Sequence, residues 1–364
     1  MKKNLFAIII FSLFYSALIA QTGNNIENVI IITTDGLRWQ EVFKGMDSII
    51  ASDPKFNQKD SSGIYKKYWA LTVDERRKKL LPFLWNVIAA NGQLYGNRLL
   101  NNKVNNANPY WFSYPGYNEI FTGFVDTAIN TNDYPANPNT NLLEFLNKKE
   151  AFKGKVAAFG AWDAFGRILN EKRAGFPVVC SHDSYGGEHP DAEQRLINLM
   201  KKDTYNPLGE QEILDVFTHY AAMDYLKKNK PRVLYISYGE TDEWAHSGHY
   251  RDYLDAAHMV DKWVSDIWNY IQNDKQYKNK TLLFITVDHG RGNGDKWTSH
   301  NNKIPNSNEI WFGVMGPQIK ANGEISSDIQ LYQKQYAQTI AQLLGYTFKC
   351  EHPVADGFKE MLVK

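Results

Sequence analysis

Residues 281–292 read TLLFITVDHGRG: a run from Leu282 to Val287, apolar but for Thr286, that halts on adjacent Asp288 and His289 and then turns through Gly290 and Gly292. A short apolar run bounded by turn residues is the signature of a strand buried on both faces, so this segment delivers two metal-type side chains at its C-terminal edge. The same grammar recurs twice. In residues 28–39, NVIIITTDGLRW, the run Val29 to Ile32 leads to Asp35 and Gly36. In residues 232–246, RVLYISYGETDEWAH, the run Val233 to Ile236 leads to Asp242 and His246. Open α/β sheets bind ligands beyond the carboxyl ends of their strands, so three carboxylates delivered there by three strands can converge. A single strand-terminal Asp commonly caps the next helix, and a lone His is ordinarily a hydrogen-bonded core or surface residue. Threefold recurrence at one position of the pattern argues for a shared site instead. Carboxylate with imidazole is a donor mixture that zinc accepts, and a thiolate-rich site is excluded because the chain holds only Cys180 and Cys350.

Further apolar runs lie at 155–159, and helical patterns such as Tyr253 to Ile271 separate the strands. This alternation predicts a doubly wound α/β fold: a mainly parallel sheet with helices on both faces. Two stretches break the rhythm, 43–77, polar and irregular, and 170–207, rich in Gly, Pro and His. Both are expected as loops or insertions that cap the site, since long irregular segments inside a domain are commonly functional. No internal repeat or low-complexity tract stands out, and residues 21–364 are expected to form one domain with insertions near 43–77 and 170–207.

The chain opens MKKNLFAIIIFSLFYSALIAQ, with Lys2 and Lys3 before an apolar stretch from Leu5 to Ile19. That is the pattern of a signal peptide, residues 1–20, with too short an apolar core for a membrane span. Cleavage near Gln21 predicts a periplasmic or secreted protein without a stable membrane anchor. The balance of 41 Lys+Arg against 40 Asp+Glu creates no global field for duplex nucleic acid or an anionic membrane. Export permits a disulfide between Cys180 and Cys350 but does not require one.

Residues 108–124, NPYWFSYPGYNEIFTGF, set Ser113 two positions before Pro115 and ahead of Ile120, Phe121 and Phe124. Pro suits the first turn of a helix, so Ser113 belongs at or just before a helix N-terminus, where free N–H groups favour an anion. The everyday role of serine there is an N-cap. A nucleophile is the alternative, because a metal ion can lower the pKa of the hydroxyl.

In this order, TTDGLRW, FSYPGY with Thr122 and Gly123, Asp242-x-x-x-His246, Asp288-His289-Gly290 and a downstream His300 resemble the alkaline phosphatase superfamily, closest to its type I phosphodiesterase/nucleotide pyrophosphatase branch. The resemblance implies two divalent metal ions, expected to be zinc: one held by Asp242, His246 and His300, the other by Asp35, Asp288 and His289, with Ser113 reaching toward the second as nucleophile. It implies a small-molecule phosphate ester as substrate and a phosphoseryl intermediate that water then cleaves. The chain departs from the branch in three places. Ser stands where Thr is usual, Ala245 precedes His246 where Gly is usual so that His249 rivals it as a ligand, and His300 sits in WTSHNN rather than a Gly-rich turn. Asn130, Asn132 and Asn137 are candidates for a phosphate-contacting amide. Arg38, Lys153, Arg167 and Arg173 are candidates for a phosphate oxygen, with solvated surface charge as the commoner role. Tyr110, Trp111 and Phe112 beside the nucleophile, and Trp244 between Asp242 and His246, suggest an aromatic wall that would favour diesters or nucleotide-like esters over monoesters.

Other readings share the metal plan. A phosphomonoesterase is one. A formylglycine sulfatase needs Arg four positions after the modified residue, and position 117 is Tyr. A cofactor-independent phosphoglycerate mutase is a longer, cytosolic chain. A non-catalytic, exported glycan-binding protein on this scaffold would use the aromatics, 14% of the chain, but would not need an intact ligand set.

Overall fold

The computed structural model describes residues 26–363. The proposed signal peptide lies outside them, and no described helix is long and apolar enough to cross a membrane. Among the described residues eleven strands form in chain order: β1 Asn28–Thr34, β2 Gly92–Tyr95, β3 Asn102–Asn105, β4 Val156–Gly160, β5 Val178–Cys180, β6 Val233–Tyr238, β7 Thr281–Val287, β8 Glu309–Ile310, β9 Phe312–Met315, β10 Gly323–Glu324 and β11 Ile329–Tyr332. The main sheet has eight strands in the order β10-β2-β9-β7-β1-β6-β4-β5, and β11-β3-β8 form a small second sheet. The five strands from β7 to β5 run parallel, and β9 is antiparallel to both of its neighbours. Every residue of β1, β6 and β7 is buried, as their apolar runs require, so elements cover both faces of the sheet.

Register sets the site. Thr34 of β1 pairs with Tyr238 of β6 and Val287 of β7, so the chain leaves all three neighbouring strands at one level. Neighbouring strands lie about 4.8 Å apart, which brings Asp35 and Asp288 side by side, with the start of the Glu240–His246 helix on the other flank.

The two stretches expected as loops or insertions each carry short regular elements. Helices Ser48–Ser52 and Ser61–Tyr68 lie within 43–77 and Val73–Leu80 begins there, started by Asp47, Asp60 and a Thr72/Glu75 capping box. Each is short and anchored by one or two buried residues, such as Ile50, Ile64 and Leu80, so no apolar period develops. Within 170–207 lie helix Glu171–Ala174, edge strand β5 and helix Ala192–Asp203, the last capped by Asp191 with Gln194. The two cysteines are unbridged: Cys180 is buried with its thiol on the Asp183 carboxylate (3.1 Å), and Cys350 is partly buried.

One buried carboxylate outside the site makes stability depend on pH. Asp261, in the Tyr250–Asn273 helix, accepts the Phe83 and Leu84 N–H groups at 2.7 and 2.8 Å, ahead of the π-helical turn Leu84–Ile88. Burial pushes its carboxyl from 3.8 up to about 7, against the pull of those two N–H groups. The folded state therefore keeps this proton where the unfolded chain has lost it. The contribution is present in acid and is lost as pH rises from about 4 to 7. We expect Asp261→Asn to gain melting temperature relative to the parent across that interval. Parallel melting curves at pH 4 and pH 7 would contradict the assignment.

Candidate metal centre and nucleophile

Asp35 leaves β1 and turns at once through Gly36, whose φ of +59° suits glycine. A Cβ there would stand 2.4 Å from Asp242 Oδ1, so only glycine lets the β1 turn approach the Glu240–His246 helix this closely. The Gly36 N–H donates to Asp288 Oδ1 (3.1 Å), and the Tyr117 hydroxyl donates to Asp35 Oδ2 (2.9 Å). Each carboxylate is thus held by one oxygen. The other oxygen, Asp35 Oδ1 or Asp288 Oδ2, is buried and without a hydrogen-bond partner. Both orphaned atoms stand 3.3 Å from His289 Nε2. The His289 Nδ1–H donates to the Gly290 carbonyl (2.9 Å), which turns Nε2 toward the carboxylates.

Ser113 is the first residue of the Ser113–Thr122 helix, not its cap. The cap position is Phe112, in extended backbone and with no side-chain cap bond. The Ser113 hydroxyl is therefore released from capping and lies 3.3 Å from His289 Nε2. Gly116 makes that placement possible: a Cβ on it would meet the Asp288 carbonyl at 2.6 Å, so its absence lets the helix start sit on the end of β7.

The second cluster surrounds Asp242. His246 Nε2 is 2.9 Å from Asp242 Oδ2 and 3.0 Å from His300 Nε2, and His300 Nε2 is 3.7 Å from Asp242 Oδ1. The His300 Nδ1–H donates to the Trp111 carbonyl (3.3 Å), so its Nε2 also faces inward. The rival His249 is turned away, its Nδ1 3.5 Å from Asp252 Oδ2 and its ring stacked on Trp244. Arg291 is buried, pairs with Asp242 Oδ1 and donates to the Trp297 and Thr298 carbonyls (2.8 and 2.6 Å). It thereby ties Asp242 to the loop that carries His300.

A tetrahedral ion with ligands at about 2.0–2.1 Å separates them by about 3.3 Å. The separations in both clusters, 2.9 to 3.7 Å, bracket that value. With the two orphaned carboxylate oxygens, the donor set fits divalent metal ions. Donor atoms of Asp35, Asp288 and His289 converge within 4.8 Å, as do those of Asp242, His289 and His300, so His289 stands between the groups. Burial and crowded carboxylates raise the local affinity for protons. Burial and then the Asp35 charge push the Asp288 carboxyl up to about 8, and Asp288 with Asp35 outweigh burial to hold His289 at about 9.

The structure brings together all seven sequence-derived residues, Asp35, Ser113, Asp242, His246, Asp288, His289 and His300. It also selects among the amides. Asn132 lines the cavity over Ser113, and its Oδ1 accepts the Tyr114 N–H (3.0 Å), so it can offer its amide N–H2 to a ligand. Asn137 is buried against Asn118, and Asn130 is exposed outside the cavity. None of the four basic candidates lines the cavity. Arg38, rather than being solvated, is fully buried against Glu41, Arg167 holds the Asn132 and Tyr134 carbonyls, and Arg173 pairs with Glu144. The expected aromatic wall is also revised. Trp244 donates to Glu240 and borders a separate cavity with Trp263, and neither Tyr110, Trp111 nor Phe112 lines the cavity, where Trp162 is found instead. Nor do residues 43–77 or 170–207 line it. Sequence reading passed over Tyr117, Arg291, Trp162 and Glu212. Of these, Arg291, inside the DHGRG run, and Tyr117, at the end of FSYPGY, lay in motifs already singled out.

The sequence pattern of the type I phosphodiesterase/nucleotide pyrophosphatase family matches residues 85–356. The chain belongs to this family. Its fold is shared with solved structures across the alkaline phosphatase and sulfatase group. The alkaline phosphatase PafA superposes with a TM-score of 0.60 at 11% identity, over 93% of this chain and 99% of its own. The lipoteichoic acid synthase LtaP from Listeria monocytogenes gives 0.55 at 13% identity, over 92% and 76%. The 2-O GAG sulfatase BT1596 gives 0.53 at 15% identity, over 89% and 72%. At such identities the likeness is one of fold. No curated protein matches the chain. Family and fold together make it a hydrolase of the phosphodiesterase/alkaline phosphatase superfamily, whose members are metal-dependent.

Proposed function

We propose that this chain is an exported phosphodiesterase, one domain from Gln21 onward, which uses two zinc ions and forms a phosphoseryl intermediate on Ser113. The observation that carries this reading is the Ser113 hydroxyl, free of capping at a helix start and 3.3 Å from the same His289 nitrogen that faces the orphaned oxygens of Asp35 and Asp288. Asp242, His246 and His300 would hold one ion, and Asp35, Asp288 and His289 the other. Bound there, the ions supply positive charge to the phosphoryl oxygens and lower the pKa of the serine hydroxyl. Ser113 Oγ gives up its proton and attacks phosphorus, the ester P–O bond opposite it breaks, and the departing alcohol takes up a proton. Ser113 then carries the phosphoryl group with its second ester intact, and water cleaves the Oγ–P bond to release a phosphomonoester and restore the serine hydroxyl. The helix start favours the charge that develops at Ser113, and the Asn132 amide orients a non-bridging oxygen.

Support for diesters comes from the charge of the cavity. No Lys or Arg among the described residues lines it, while Asp133, Glu212 and Glu243 do. A monoester brings a dianion and gains from a cationic clamp; a diester brings a single charge. We expect kcat/KM for bis-p-nitrophenyl phosphate to exceed that for p-nitrophenyl phosphate. A clear monoester preference would refute the diesterase reading.

A further inference from the structure

The helix Ala192–Asp203 is mounted with its polar side inward. At about 100° per residue Gln194, Ile197, Asn198 and Lys201 share one side, and all four are buried or half-buried. The Asn198 amide donates to the Ser184 hydroxyl and the Tyr185 carbonyl (3.2 and 2.9 Å), and its oxygen accepts the Tyr185 N–H (2.8 Å). Lys201 Nζ donates to the Asp183 carbonyl (2.8 Å), and Ile197 packs against the core. Polar contacts therefore fix which way the helix faces. The opposite side carries Leu196, Leu199 and Met200 at i, i+3 and i+4, which are 56%, 54% and 50% exposed, and Tyr205, just past the helix, is 85% exposed. An amphipathic helix ordinarily turns such a stripe toward the core. Twelve large apolar side chains are exposed among the described residues, and these four fall within ten consecutive positions, so they form a patch rather than scatter.

We propose that this face seats on a phospholipid bilayer and holds the protein reversibly at a membrane surface. Area and charge decide the occupant. Leu196, Leu199, Met200 and Tyr205 together offer roughly 500 Å², well under the ~800 Å² per partner that a stable dimer buries. A bilayer needs no matched second surface, and it accepts a single helix lying in its interface with the apolar side down. Arg195 and Lys202, seven residues apart and so on one edge of the stripe, are both exposed and complement lipid phosphates from the headgroup level. On the other edge Glu193 is met by Lys228 Nζ (3.4 Å), which leaves Asp203, at the helix end, as the anion to be kept among the headgroups. Tyr205 joins an apolar ring to a polar tip, the combination favoured at a membrane–water boundary. Attachment of this kind is independent of the reaction at Ser113.

The test floats the mature chain, from Gln21 onward, with vesicles made of equal parts of phosphatidylcholine and phosphatidylglycerol. We expect the parent to rise with the lipid. Leu196→Glu/Leu199→Glu should partition onto the vesicles at least about tenfold more weakly, because carboxylates replace the two inserted side chains. Its melting temperature should stay near the parent value, since both positions are already exposed to water. A parent that stays in the soluble fraction, or a variant that floats equally well, would overturn the proposal. Leu199→Trp gives a second reading that needs no loss of function: relative to the parent, the added indole emission should shift to the blue on vesicle addition and be quenched by brominated acyl chains. An unshifted, unquenched emission would place the face in water and likewise overturn it. Sedimentation separates the other occupant. A parent that is dimeric without lipid and a Leu196→Glu/Leu199→Glu variant that is monomeric would assign the face to a second copy of the chain, against the proposal.

Discussion

Ser113→Ala lowers turnover of a chromogenic diester by roughly three to six powers of ten, the scale of losing a hydrolase nucleophile, while zinc content and melting temperature stay near the parent values. The separation of effects follows from geometry. The Ser113 hydroxyl does not cap its helix and lies 3.3 Å from His289 Nε2, so removing it takes away a reacting atom but no capping bond. Alanine also favours a helical first turn slightly more than serine does. Rapid-quench labelling should show Ser113 carrying the phosphoryl group with its remaining ester in the parent and no such adduct in the variant. Activity within about tenfold of the parent would transfer the nucleophile to water. Thr34, the hydroxyl next to Asp35, borders a cavity with Leu37, Leu84 and Trp311 and is not placed to substitute.

The second large effect is expected at Asp288. Asparagine keeps the shape of the side chain and an oxygen to accept the Gly36 N–H, and replaces the unpartnered Oδ2 with an uncharged amide. In the metal-free protein the change should cost little stability. Burial and Asp35 already push this carboxyl up to about 8, so the ionised form is disfavoured at neutral pH before any substitution is made. With zinc the two proteins diverge. A ligand bound only by the folded state adds about 4 kcal/mol at a thousandfold excess over its Kd. The parent should therefore gain melting temperature on zinc addition, and Asp288→Asn should gain much less. Turnover should fall by at least about two to three powers of ten, because the charge that stabilises the transition state goes with the metal. An Asp288→Asn protein with full zinc content and a normal zinc-induced shift would remove Asp288 from the ligand set.

Much of the site was legible because a buried parallel strand is written locally. In β1 and β7 the apolar run, the Asp that ends it and the Gly that turns the chain are consecutive residues, and neighbouring register then places Asp35 beside Asp288 without further instruction. The helix start at Ser113 was legible for the same reason, since Pro115 marks a first turn. The helices of 43–77 were missed because each is five to eight residues long, too short for a period to emerge, although their caps at Asp47, Asp60 and Thr72 were in view.

The sequence by itself determined the strand ends, the candidate ligand residue types and the family order of the motifs, all properties of contiguous residues. Only the tertiary structure decided which way each side chain turns and what it meets. His246 is preferred to His249 because one helix turn points it at His300, while Asp252 and Trp244 hold His249 away. Asn132 is preferred to Asn137 because Tyr114 N–H holds the first at the cavity and Asn118 buries the second. Trp244 leaves the aromatic wall, and Trp162 and Glu212 enter the cavity, through pairings between segments about fifty residues apart. Local propensity says nothing about such pairings, which arise when buried surface and unsatisfied polar groups across the whole chain are resolved together.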